Sequence, residues 1–161
     1  MKRNLTATIA MLIITTILSL NSAYALEGLP SNIQTPKDLA EWLSDEFQYT
    51  FEINDNWQSA QTTIDSRSGD CEDFAVLVSS VLTDHRISND IVLVDFKGMQ
   101  IRHAICAWRT DNGTYNFISN KVMYTTSETS LESAIKKYYP DAKSITLAKN
   151  DYEFRKKMRS I

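Results

Sequence analysis

Residues 68–82 read SGDCEDFAVLVSSVL, and the fold turns on this stretch. Asp70 is a residue type whose side-chain oxygen satisfies the free N–H groups of a helix start. Beyond it Phe74, Leu77, Val78, Val81 and Leu82 recur at i, i+3, i+4, i+7 and i+8, the spacing of one face of an α-helix. With Asp70 as N-cap, Cys71 becomes the first helical residue. It precedes Phe74 by three positions and so shares the inward, apolar face. The partial positive charge of a helix N-terminus favours a thiolate there.

Working outward, three runs downstream have strand character: DIVLVDF (90–96), IRHAICAW (101–108) and TYNFIS (114–119). Lys97-Gly98 and Asp111-Asn112-Gly113 join them, both with hairpin chemistry. Upstream, TPKDLAEWLSDEFQYT (35–50) predicts a helix with Thr35 as cap and Pro36 at its first position. NWQSAQTTIDSRSG (56–69) predicts a short helix and a loop. SETSLESAIKKYY (127–139) predicts a helix capped by Ser127 or Thr129 and stopped by Pro140, and SITLA (144–148) a last strand. Helices followed by an antiparallel meander indicate an α+β domain.

The N-terminus sets the compartment. Lys2 and Arg3 precede an apolar run from Ile9 to Leu20, and Ala23-Tyr24-Ala25 places small residues where a signal peptidase cuts. Residues 1–25 therefore read as a secretory signal, and 26–161 as one domain of about 136 residues, periplasmic or secreted. The run is shorter than the roughly 20 residues of a spanning helix, so no membrane span is expected after cleavage. Removing Lys2 and Arg3 from the 17 basic residues leaves 15 against 20 acidic ones, a net charge of −5. That balance argues against nucleic acid as a partner. The basic FRKKMRSI (154–161) reads as a solvated helix end or tail.

Two cysteines in an exported chain suggest a disulfide between Cys71 and Cys106. The pleat argues otherwise. Ile101, His103, Ile105 and Ala107 share one face of their strand, and Ala104, Cys106 and Trp108 the other. If His103 faces the cysteine helix, Cys106 faces away and no bridge forms. Cys71 and His103 would then be a nucleophile and its base.

These residues carry a resemblance. SRSGDCEDFAVLVSSVL (66–82) followed by IRHAICAWRTDNGTYNFISN (101–120) is similar to the bacterial transglutaminase-like cysteine proteinase family, as is INDNWQSAQTTIDSRSGDC (53–71). The resemblance implies a papain-like α+β fold, with the cysteine helix packed on an antiparallel sheet. It implies Cys71 as nucleophile and His103 as base, acting through an acyl-enzyme on a protein or peptide, such as a cell-surface or periplasmic protein. It also implies calcium, with Asp70 and Glu72 at the metal-binding positions. The spacing gives an independent reason for a cation, because Asp70, Glu72 and Asp73 crowd the thiol with negative charge and oppose its ionisation; the simpler alternative is that these first-turn acids only stabilise the helix dipole.

The family pattern breaks at its third member, an aspartate on the next strand; here the segment reads Phe117-Ile118-Ser119-Asn120. A two-residue turn at Asn112-Gly113 puts Asn120 on the face of His103, as the orienting residue of a Cys71–His103–Asn120 site. A three-residue turn puts Ser119 there. No oxyanion donor is assigned by the pattern: Trp57 or Gln58 could supply an N–H, and Trp57 equally reads as a core aromatic. The missing carboxylate leaves a second reading: a degenerate domain that binds a peptide or protein without turnover.

Overall fold

The computed structural model describes residues 26–52, 56–100 and 102–150. The expected signal (1–25) and the basic C-terminal stretch (154–161) lie outside the described residues.

Helix starts fall where capping chemistry puts them. The first helix, α1 (Pro36–Glu46), has Thr35 as N-cap, with the Thr35 side chain accepting from the N–H of Asp38 and Asp38 accepting from that of Thr35. A short parallel pair links Gln48–Tyr49 (β1) with Ser68–Gly69 (β2), on either side of α2 (Ala60–Ser66). The cysteine helix α3 (Cys71–Asp84) follows, with Asp70 as its N-cap.

Five strands then form one antiparallel sheet: β3 (Asn89–Phe96), β4 (Arg102–Arg109), β5 (Tyr115–Ser119), β6 (Val122–Tyr124) and β7 (Ala142–Leu147), in the order β6-β5-β4-β3-β7. The three runs read as strands are the three central strands. The last strand begins at Ala142, two residues before the expected stretch, and β6 is an addition. Helix α4 (Leu131–Tyr138) is capped by Ser130 rather than by Ser127 or Thr129. Ser130 holds the N–H of Ser133 through its hydroxyl, and that geometry selects it over its neighbours.

Both faces of the sheet are covered. On one, Leu93, Ala104, Cys106, Trp108 and Ile118 pack against Cys71, Phe74, Leu77, Val78, Val81 and Leu82 of α3, with α1 and α2 behind it. On the other, Val92, Val94, Ile105, Ala107 and Phe117 pack against Ile135 of α4. Each large side chain fully buried here contributes about 1.5–3 kcal/mol.

This arrangement reverses one expectation. Cys106, not His103, lies on the face that meets the cysteine helix. The pleat therefore does not turn Cys106 away from Cys71; both cysteines are nonetheless free thiols, and Cys106 is fully buried. The β4–β5 turn is also decided. Thr110 opposes Thr114 through backbone bonds, and Gly113 at φ 83° takes the left-handed position of a three-residue loop. Ile105 therefore pairs with Ser119, and Asn120 passes into the next turn with φ 51°.

Candidate active site

Helix α3 brings Cys71 to the end of β5. The pairing of β4 with β5 stops at Ile105–Ser119, so the backbone of Ala104 has no strand partner on that side. It lies beside the Cys71 thiol, where its N–H favours the ionised sulfur. The thiol itself donates to Glu72 Oε2 at 3.1 Å. Burial pushes the thiol up to about 12, against the pull of the Ala104 N–H, and the hydrogen bond and charge of Glu72 and the charge of Asp70 add to the rise. Desolvation and two acids outweigh the helix N-terminus here, and the thiol is a donor rather than a thiolate.

His103 is the residue before Ala104, and its ring leaves from the opposite face of the strand. His103 Nε2 lies 2.7 Å from Ser119 Oγ, and Ser119 Oγ lies 2.7 Å from the Tyr139 hydroxyl. The His103 and Tyr139 rings meet edge to face, centroids 5.8 Å apart. Burial lowers the His103 pKa and so favours the neutral base. With Nε2 committed to Ser119, Nδ1 is the ring nitrogen left for proton exchange.

Asn120, the expected orienter, is not joined to His103: its side-chain oxygen is buried without a hydrogen-bond partner. The turn register puts Ser119 in that place. Tyr139 had no signal in the sequence beyond its position before Pro140. Tyr49 is a second residue the sequence did not mark. It stands partly exposed beside the site, where burial and the nearby Cys71, Asp70 and Glu72 raise its pKa.

The three acids split into two roles. Asp73 is fully buried and accepts three hydrogen bonds, from Gln58 N at 2.7 Å, Gln58 Nε2 at 2.9 Å and Asp70 N at 3.1 Å. Both Gln58 donors are thus committed to a structural clamp rather than an oxyanion, and Trp57 is packed in the core. Asp70 and Glu72 behave differently. Their carboxyls and the Cys71 sulfur all lie within 4.8 Å of one another. Burial and a hydrogen bond with Asp70 push Glu72 up to about 8, while Asp70 Oδ1 is buried without a partner. Two adjacent buried carboxyls short of donors are oxygen ligands suited to a hard cation, and calcium takes such ligands; the sulfur is not part of that set.

Residues 20–147 match the family model described as a transglutaminase-like domain. The chain belongs to that family. Among solved structures, calcium-bound LapG of Legionella pneumophila aligns with a TM-score of 0.55 at 16% identity, covering 91% of this chain and 98% of that one. EGTA-treated LapG aligns with a TM-score of 0.54 at 15% identity, covering 91% and 96%. At this identity the likeness is one of fold, and it bears out the α+β, papain-like and transglutaminase-like architecture. No curated protein sequence matches the chain significantly. Among the described residues, no helix is long and apolar enough to cross a membrane.

Proposed function

We propose that this transglutaminase-like domain is an exported cysteine peptidase or amidase acting on a protein or peptide of the periplasm or cell surface. The observation that carries the reading is a helix-start thiol beside the Ala104 backbone, with the preceding residue on that strand a histidine whose Nε2 is already held by Ser119. In the reaction the Cys71 sulfur attacks an amide carbonyl carbon, and its proton passes to His103 Nδ1. His103 then returns that proton to the leaving amine. Water next attacks the thioester, giving its proton to His103 and releasing the acid and the free thiol.

Asp70 and Glu72 are the residues that would hold calcium. A bound calcium ion supplies positive charge to their carboxyls, offsetting the repulsion that opposes thiolate formation. Export rests on residues 1–25 alone, and sequencing the secreted protein should find Leu26 at its N-terminus.

The test is intact-mass labelling with iodoacetamide near neutral pH, in calcium and in EGTA. The expected outcome is one modification, absent in Cys71→Ser, slowed in His103→Ala and faster with calcium. Labelling of Cys71 no faster than that of fully buried Cys106 would sink the enzymatic reading. It would leave the second one, a domain that binds a peptide without turnover, which the serine at position 119 and the raised thiol pKa favour.

A further inference from the structure

We propose that Tyr139 is a positioning residue of this site: through Ser119 it completes an uncharged chain, His103–Ser119–Tyr139, that orients the imidazole in place of the missing carboxylate. The inference rests on the reading of His103 as the base.

The geometry is specific. Ser119 is buried, its register fixed by pairing with Ile105, and it stands 2.7 Å from both His103 Nε2 and the Tyr139 hydroxyl. Tyr139 caps the C-terminus of α4 with its N–H bonded to Ile135 O at 2.8 Å, and its ring packs on His103, Phe117 and Phe96.

Counting protons shows why serine alone is insufficient. A serine hydroxyl has one proton and a free rotor. Left to itself, it can turn that proton onto Nε2, which leaves the ring's own proton on Nδ1 and removes the lone pair that the proposed reaction uses. With the Tyr139 oxygen beside it, Ser119 can give its proton to Tyr139 and accept from Nε2–H. Tyr139 can turn its own proton away from Ser119, toward the neighbouring Tyr124, whose ring centroid lies 6.4 Å from its own. The same polarity serves the reaction: once Nδ1 takes the thiol proton, both ring nitrogens are donors, and Nε2–H still needs Ser119 as acceptor. Neutral hydroxyls orient the ring but give an imidazolium less stabilisation than a carboxylate, so the chain supplies the right tautomer in a slower site.

Tyr139→Phe tests this, because it removes the hydroxyl and keeps the ring packing. Histidine labelled with ¹⁵N reports the His103 tautomer by NMR at a pH where the ring is neutral. The parent should hold its proton on Nε2. Tyr139→Phe and Ser119→Ala should each give a mixture with substantial Nδ1–H, and the double variant should be no worse than Ser119→Ala alone. Alkylation of Cys71 should slow roughly tenfold in Tyr139→Phe, less than the 10²–10⁴ expected for loss of the base itself. A parent with its proton on Nδ1, or a tautomer unmoved by Tyr139→Phe, overturns the proposal. If parental Cys71 fails to alkylate, the enzymatic reading falls, and the tautomer result still decides whether Tyr139 positions His103.

Discussion

Replacing Asp73 should cost more stability than any other single change at the site. Its carboxylate is fully buried and accepts from Gln58 N, Gln58 Nε2 and Asp70 N. Asp73→Ala strands all three donors. The Gln58 side chain is only half-buried and can turn to water, so the two backbone N–H groups dominate. A buried donor left unsatisfied costs about 1–3 kcal/mol, which for two gives about 4 kcal/mol. Asp73→Asn keeps the volume and one acceptor oxygen for Gln58 N–H but turns an NH₂ toward the remaining donors, and should cost about 2 kcal/mol. For a domain of this length about 1 kcal/mol corresponds to roughly 4 °C. Urea titrations and thermal melts should therefore rank parent above Asp73→Asn above Asp73→Ala, with the alanine variant down by roughly 15 °C. Faster hydrogen exchange at the Asp70 amide should accompany the loss, since the clamp fixes that residue at the helix start. If both variants unfold within about 0.5 kcal/mol of the parent, the clamp is not what holds Gln58 to the helix, and the reasoning fails.

Two further outcomes follow from the same corner. A Cβ at Gly69 would sit 2.7 Å from Asp73 Cβ and 2.9 Å from Oδ2, so Gly69→Ala should lower stability by about 1–3 kcal/mol in a urea titration; an unchanged midpoint counts against this packing. Glu72 holds its proton more tightly in the folded state, with its pKa pushed from 4.5 to about 8. Its contribution is fully present below about pH 4.5 and is lost as the pH rises through about 8, so in EGTA the melting temperature should fall between pH 5 and pH 8.5. Glu72→Gln should flatten that slope, and calcium should raise the parent's melting temperature but not that of an Asp70→Asn, Glu72→Gln variant. Equal slopes in parent and Glu72→Gln, or an equal calcium response in both proteins, would show that these carboxyls are not the groups responsible.

Features whose physics is local are legible in the chain alone. The N-caps at Thr35 and Asp70, the helical spacing from Phe74 to Leu82 and the apolar runs of β3, β4 and β5 each depend on residues within one or two turns of chain, and they place Cys71 at a helix start. Which face of β4 meets that helix was decided only in the tertiary structure. Ala104, Cys106 and Trp108 on one side and Ile105 and Ala107 on the other are all buried, because helices cover both faces of the sheet, so alternation carries no inside and outside. The orienting partner was likewise open. Asp111-Asn112-Gly113 suits two turn lengths, and only the observed loop, with Gly113 at its third position, puts Ser119 opposite Ile105 and beside His103. Tyr139 reaches the same histidine because α4 folds back across the second face of the sheet, a contact made over twenty residues from Ser119 and thirty-six from His103 that no local pattern encodes.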